Sequence, residues 1–385
     1  MKLNRALEQH IAVFGESGSG KTVMLSSFYG ATQEPQYLQS SLFHVVADDI
    51  GQGSQLHRAF LGMRDSAQLP EATRFTSTSY GFSLKLKGGN VKANSLKQFD
   101  NVRLVWHDYP GEWFEQDVSG PKEAQRRVDT FRSLLSSDVA LLLVDGQRLL
   151  DNAGEEERYL KSLLGNFRNG LLRLKDDLLE EGKPLVKFPR IWILALSKAD
   201  LLPDVDVFNF RDLMIAKATD DLAELRKVVK GFVENPEALS VGEDFVLLSS
   251  AKFEANKIEV TQRKGLDLVL PLAAMLPFER HIKWVEQKQI GAKVVEELLG
   301  GAGALAAVLM GKVKFAGPKG LVVGLIAGKG VNAAMNAAAK LAGDQLKEKN
   351  AEFRAKKDYM GVVLTGFQMD LENGEKEQIL LRGQR

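Results

Sequence analysis

No cysteine occurs anywhere in the chain. That excludes disulfides, zinc–cysteine sites, iron–sulfur clusters and a cysteine nucleophile, and it fits a reducing compartment. Histidine is scarce as well. His10, His44, His57, His107 and His281 are scattered, with no companions at ligand spacing, so no dedicated transition-metal site is expected. Neither sign of charge is in excess: 51 Lys and Arg stand against 50 Asp and Glu. That balance argues against a chain held to nucleic acid by bulk charge, and no nucleic-acid partner is expected. No uncharged apolar run reaches the roughly 18 residues of a membrane span. Residues 1–10 hold no apolar stretch of signal-peptide length, so a cytoplasmic location is the expectation. What is present is an ordinary globular mixture. The 385 residues are 44% hydrophobic and 26% charged, enough to bury the core of one large domain or two ordinary ones.

The first strong positive signal follows the apolar run Ile11-Ala12-Val13-Phe14. Residues 15–22 read Gly15-Glu16-Ser17-Gly18-Ser19-Gly20-Lys21-Thr22, a complete G-x-x-x-x-G-K-[ST], and helix-compatible sequence continues from Val23 to about Phe28. Strand, loop and helix form the context in which this motif binds nucleotide. The glycines allow backbone angles that let successive N–H groups face phosphate oxygens, and the next helix adds its dipole. Lys21 is placed to reach the β- and γ-phosphates and Thr22 to ligate Mg²⁺. The motif alone does not separate ATP from GTP; a transporter ATPase could carry it, although no Leu-Ser-Gly-Gly-Gln signature is present.

An acidic residue at a strand end should complete the magnesium shell, and two strands end in aspartate. Asp145 closes Val139–Val144. Asp108 closes a shorter run and opens Asp108-Tyr109-Pro110-Gly111. In Asp-x-x-Gly the aspartate can hold the metal through water, while the glycine N–H meets the γ-phosphate and lets the loop go once that phosphate is lost. Downstream features favour Asp108. Ser197-Lys198-Ala199-Asp200 follows the apolar run Ile191–Leu196, and Ser249-Ser250-Ala251-Lys252 follows Phe245–Leu248. Both fall where open α/β sheets bind ligands. A carboxylate at Asp200 matches the two N–H donors on one edge of guanine, which adenine lacks, and the Lys198 stem can lie across the base.

With these motifs in this order, the sequence resembles the TRAFAC class of P-loop GTPases, the group of Ras-like GTPases, septins and dynamins. The resemblance covers about residues 8–280. It implies a mostly parallel α/β sheet with one antiparallel strand, binding of GTP and GDP, and Mg²⁺ held by Thr22 and Asp108. Gly15–Thr22 correspond to the phosphate loop, Gly111 to the γ-phosphate sensor, and Ser197, Lys198, Asp200, Ser250, Ala251 and Lys252 to the base-reading loops. Three departures stand out. Ser197 replaces an Asn or Thr. Glu112 occupies the place of the glutamine that orients the attacking water, so slow intrinsic hydrolysis is expected. The distance from Lys21 to Asp108 implies an insertion at about residues 30–75, a stretch read as polar and irregular apart from weak strand signals at Leu42–Val46. Thr76 and Thr78 precede a strand at Tyr80–Lys87 and are the candidates for the magnesium-binding threonine of the first switch; Thr78 is carried with Lys21 and Glu112 as the catalytic set. That strand, the turn at Gly88-Gly89-Asn90 and Val102–Trp106 read as an antiparallel pair at the sheet edge. Helices are expected near 121–136, 153–181 and 209–233.

The C-terminal hundred residues are different. Residues 298–343 are rich in Gly and Ala, contain five lysines and no acid, and are broken at Gly317-Pro318. Three readings stay open: a helical hairpin packed on protein, a cationic amphipathic segment on an anionic membrane surface, or an apolar tail ordered by a partner. A helical module over 281–358 and a β-hairpin over 359–385, turning at Asn373-Gly374, complete the expected organisation. The functional expectation is a GTP-binding switch or slow GTPase acting on a protein effector or on its own copies. A GTP-controlled membrane effector and a P-loop ATPase are the alternatives.

Overall fold

The two most apolar stretches of the sequence become adjacent inner strands. β5 (Val139–Asp145) and β6 (Ile191–Ser197) are buried along their whole length, as strands covered by helices on both faces must be. The computed structural model describes residues 7–70, 78–86, 102–114, 120–179, 182–185, 191–233, 236, 239–254, 256–288, 363 and 365–383. Thr76, the expected turn at 88–90 and the whole of 298–343 lie outside the described residues.

In chain order the first half contains β1 (Leu7–Phe14), α1 (Lys21–Thr32), α2 (Pro35–Ser40), β2 (Phe43–Ala47), α3 (Ile50–Ser66), β3 (Thr78–Leu86), β4 (Val102–Asp108), α4 (Pro121–Leu135), β5 and α5 (Gly146–Asp151). The second half contains α6 (Glu156–Arg173), α7 (Lys175–Leu178), β6, α8 (Val207–Lys230), β7 (Ser240–Leu247), the short pair β8 (Lys252–Glu254) and β9 (Lys257–Glu259), α9 (Val269–Lys288), a helix over 365–376, and β10 (Leu380–Leu381). Eight strands form one sheet in the order β10-β7-β6-β5-β1-β4-β3-β2. The pairs from β4 through β1, β5 and β6 to β7 are parallel. β3 runs against both β4 and β2, and β10 runs against β7. The expected antiparallel strand is β3, and β10 is a second. β2, not the β3–β4 pair, forms the sheet edge, since it adds a further strand outside β3.

Period-two alternation along β1 sorts its side chains between two cores. Ile11 and Val13 join α1, α3, α9 and the C-terminal helix on one face. Ala12 and Phe14 join α4, α6 and α8 on the other. The covering helices carry matching stripes, for example Tyr159, Leu160, Leu163, Leu164, Phe167 and Leu171 on α6. α8 begins at a capping box in which Asp206 and Asn209 satisfy each other's backbone N–H groups. Among the described residues no helix is long and apolar enough to cross a membrane.

Two expectations are corrected. The described part of the stretch at 30–75, residues 30–70, is structured: α2, β2 and α3 fill most of it, and Leu56, Phe60 and Met63 form a buried stripe along α3. The expected C-terminal hairpin is a helix followed by one short strand. Val363, Phe367 and Leu371 recur every four residues and are all buried, so the helical period prevails. Gly374 sits in that helix because a Cβ there would lie 2.6 Å from Leu268 Cδ1; the glycine permits the close approach.

Candidate functional site

β1 is the point at which the strand order reverses, with β4 on one side and β5 on the other. A crevice opens at such a point beyond the C-terminal strand ends, and the loop 15–20 lies in it. Gly18 and Gly20 adopt φ values of 80° and 92°, a left-handed conformation that costs glycine nothing. Lys21 opens α1 and is buried. Its Nζ donates to Gly15 O at 2.7 Å and Glu16 O at 3.0 Å, so the ammonium is held over its own loop.

The Asp108–Gly111 segment closes over this loop. The Tyr109 hydroxyl accepts from Gly15 N–H at 2.7 Å and lies 3.2 Å from Gly15 O, to which it donates. Its ring sits 5.1 Å from Lys21 Nζ. A Cβ on Gly111 would stand 2.5 Å from Ser17 N and 2.7 Å from Glu16 C, so only glycine allows the segment to lie against the loop backbone. Asp108 is 1% exposed, and its carboxylate accepts from Tyr109 N–H at 3.1 Å. Thr78 is the register partner of Asp108 across the β3–β4 pair, so the backbone brings together two residues that the sequence separates by thirty positions. Glu112 lies in the single turn Gly111–Phe114. Trp113 is 9% exposed, beneath the Arg127 guanidinium, which also donates to its carbonyl at 3.1 Å.

Thr22 offers a hydroxyl at the start of α1, and Asp108 offers a buried carboxylate at the end of β4, the strand next to β1. Hard oxygen donors of this kind fit Mg²⁺, which takes its remaining ligands from phosphate and water. Asp145, the rival for this role, is engaged elsewhere. Its carboxylate pairs with Lys198 Nζ at 2.8 Å and caps α5 through Gln147 N–H at 2.9 Å, while the Tyr159 hydroxyl accepts from its N–H at 2.9 Å.

The two loops expected to read the base are joined. Ala199 N–H donates to Leu248 O at 3.1 Å. The Ser249 hydroxyl lies 2.8 Å from Asp200 Oδ1 and 2.7 Å from Ala251 O, and its single proton serves one or the other. Lys198 takes a left-handed φ of 53°, which turns the chain sharply between Ser197 and Asp200. The Ser197 hydroxyl donates to Val144 O at 3.3 Å. Ser250 is half-buried and Ala251 fully buried. Lys252 is half-exposed and pairs with Glu254 at 3.0 Å.

Sequence reasoning missed four participants: Tyr109 as a tether, Asp145 as the partner of Lys198, Ser249 beside Asp200, and Arg148. The Arg148 Nη1 is 2.9 Å from Glu16 Oε2, and its Nη2 donates to Ser17 O at 3.4 Å. Tyr109 and Ser249 sat inside motifs already recognised. Asp145 was marked by its strand end, though not as the partner of Lys198, and nothing local in the sequence marks Arg148.

Solved structures with a similar chain course include the β-subunit of the signal recognition particle receptor in its GTP complex with SRX from Chaetomium thermophilum. It is 16% identical, covers 64% of this chain and 92% of its own, and has a TM-score of 0.33. Nucleolar GTP-binding protein 1 from Plasmodium falciparum is 13% identical, with coverages of 77% and 96% and a TM-score of 0.33. The FeoB G-domain from Methanococcus jannaschii is 12% identical, with coverages of 70% and 98% and a TM-score of 0.27. Similarity at this level says nothing about activity. No curated protein sequence matches the chain. The family model named Double-GTPase 2 matches residues 9–232, a span that begins in β1 and runs through the phosphate loop, Asp108–Gly111 and Ser197–Asp200. That span is more than half of the chain, which therefore belongs to the Double-GTPase 2 family and carries a GTP-binding P-loop domain.

Proposed function

We propose that this protein is a GTP-controlled switch that hydrolyses GTP slowly to GDP and phosphate. One observation carries the reading: the segment after β4 is held to the phosphate loop by Tyr109 and meets its backbone at Gly111. A phosphate that forms or loses a contact at Gly111 therefore alters the packing of a segment whose next residues, Glu112 and Trp113, lead to α4. Lys21 stabilises the β- and γ-phosphates. Thr22, Asp108 and, from the first switch, Thr78 organise Mg²⁺. Glu112 in place of a glutamine supports slow turnover, because a carboxylate there would add negative charge near a phosphoryl group that is already anionic and lacks the amide that orients the attacking water. Asp200 selects guanine, with Lys198 and the 249–252 loop framing the base. The output is a protein effector or a second copy of the chain, reached through the segment beyond α9; contact of residues 298–343 with an anionic membrane is the alternative output.

The test is affinity for GTP, GDP, ATP and XTP, measured side by side on the full chain and on Asp200→Asn. The wild type should prefer guanine nucleotides by at least about a hundredfold, and the variant should shift its preference toward xanthine, which offers an acceptor where guanine offers an amino group. Equal affinity for ATP and GTP would remove the base-reading assignment. The fluorescence of Trp113, compared between a GTP analogue and GDP, reports whether the switch segment moves.

A further inference from the structure

The phosphate loop contains an acid where a triphosphate is to bind. The Glu16 side chain is 7% exposed, and a buried carboxylate in that position opposes the approach of a polyanion. Arg148 answers it from the start of α5. That short helix is held in place on both sides: Asp145 caps it and binds Lys198, and Gly146 lies so close to the base loop that a Cβ would stand 2.8 Å from Ser197 O. Arg148 therefore projects from a fixed base, while its own side chain is 38% exposed and has room to turn. Its Nη2 reaches Ser17 O, the carbonyl of the residue whose N–H side faces Gly111. The guanidinium thus reaches the same residue, Ser17, on which the Gly111 segment closes. A guanidinium has five donors in a planar fork and can serve a carboxylate and a phosphate oxygen together.

On the GTPase reading given above, we propose that Arg148 is an arginine acting in cis on the triphosphate, stored on Glu16 and presented to the β–γ oxygens when GTP is bound. In the reaction a water oxygen forms a bond to the γ-phosphorus. The bond from that phosphorus to the β–γ bridging oxygen breaks, and its electron pair stays on GDP. The water proton leaves with inorganic phosphate or to solvent. Negative charge grows on the bridging and β-oxygens, and a guanidinium beside them lowers the barrier. Glu16 keeps the arginine at the loop while GTP is absent, and the guanidinium offsets the repulsion that the Glu16 carboxylate would otherwise exert.

A role confined to neutralising Glu16 makes a different prediction, and a double-mutant cycle separates the two. Arg148→Gln, Glu16→Gln and the double variant are compared with wild type by single-turnover GTP hydrolysis and by affinity for GTPγS against GDP, on the full chain. We expect Arg148→Gln to slow hydrolysis at least tenfold and to weaken GTPγS more than GDP, and the same two effects to persist when Glu16 is already Gln. If Arg148→Gln has no effect in the Glu16→Gln background, Arg148 is only a counter-charge and the proposal falls while the GTPase reading stands. If wild-type protein binds no guanine nucleotide, both fall together.

Discussion

At the scale of single residues, the two strand-end aspartates meet different partners, and the roles proposed for them can be separated by measurement. Asp108 accepts from the N–H of Tyr109, the residue whose hydroxyl is tethered to Gly15, whereas Asp145 holds Lys198 and caps α5. Asp108→Asn should raise the Mg²⁺ concentration needed for tight GTP binding. Asp145→Asn should leave that requirement unchanged, weaken GTP and GDP alike, and lower stability by about 2 kcal/mol through the lost charged hydrogen bonds. Magnesium titration of nucleotide binding decides between them; a larger shift from Asp145 would reverse the assignment. His107 offers a second test at this scale. It is 6% exposed, its Nε2 lies 2.9 Å from His10 Nδ1 and its Nδ1 lies 3.0 Å from Ser79 Oγ. Burial, with the charge of His10 second, pushes its pKa from 6.5 down to about 4. The folded state therefore refuses a proton that the unfolded chain accepts. The associated stability is complete above about pH 6.5, declines as pH falls toward 4 and changes no further below that, by at most about 3 kcal/mol. Denaturant unfolding at pH 7.5 and pH 5 should show a smaller decline for His107→Gln than for wild type.

At the scale of elements, the segment from Asp108 to Phe114 is built for close contact with the loop after β1. Gly111→Ala puts a carbon 2.5 Å from Ser17 N and 2.7 Å from Glu16 C, and backbone on both sides leaves no rotamer to turn away. The segment must lift, so the variant should lose much of its discrimination between GTPγS and GDP and about 1–3 kcal/mol of stability, the usual cost of overpacking. Calorimetric titration of both nucleotides reads the first effect, and unchanged discrimination would show that the segment does not sense the γ-phosphate. α3 joins the two ends of the site in a different way. Phe60 packs so closely on α1 that a Cβ on Gly30 would fall 2.1 Å from its ring. Phe60 and Met63 also share a cluster with Ala251, Ile258 and Val260, so the helix after the phosphate loop and the hairpin after the base loop rest on one element. The stripe Leu56, Phe60 and Met63 was present in the sequence, but Gly51, Gly53, Gly62 and the polar residues between them diluted its period.

At the scale of the whole molecule, the chain returns to its first domain. Val363, Phe367, Leu371 and Leu380 lie in the same core as Ile11, Leu104 and Leu141. β10 adds to β7, Leu247 N–H donates to Ile379 O at 2.9 Å, and Val207 N–H donates to Gln378 O at 2.9 Å. Arg382 pairs with Glu279 at 3.1 Å and with Glu375 at 2.8 Å, and Gly383 N–H donates to Asp244, which also pairs with Arg280. A chain ending near Lys288 should therefore be unstable or aggregate, because it exposes the β7 edge and one side of the core. Replacing 290–360 by a flexible linker should leave the unfolding transition of the nucleotide domain in place. Leu371→Ala, at a fully buried position, should cost about 2–5 kcal/mol. Urea unfolding of the three variants checks this; a stable protein ending at Lys288 would show that the return is dispensable.

The sequence by itself determined the chemistry that is local in the chain. Gly15–Thr22, Asp108–Gly111 and Ser197–Asp200 each compress a loop into a few consecutive residues, and the uninterrupted apolar runs of β5 and β6 carry their own burial signal. Those features point to a GTP-binding P-loop domain, and propose a sensor and a base reader, without any knowledge of contacts. Only the tertiary structure shows what each strand-end aspartate meets: Tyr109 N–H for Asp108, Lys198 and the start of α5 for Asp145. Tertiary contact also set Thr78 opposite Asp108, seated Arg148 on Glu16, and turned Asn373-Gly374 from a hairpin turn into a helical contact with Leu268. Each of these depends on residues far apart in the chain, where no short-range period or propensity reaches, and the packing energy of the assembled core outweighs the few tenths of a kcal/mol by which local preferences differ.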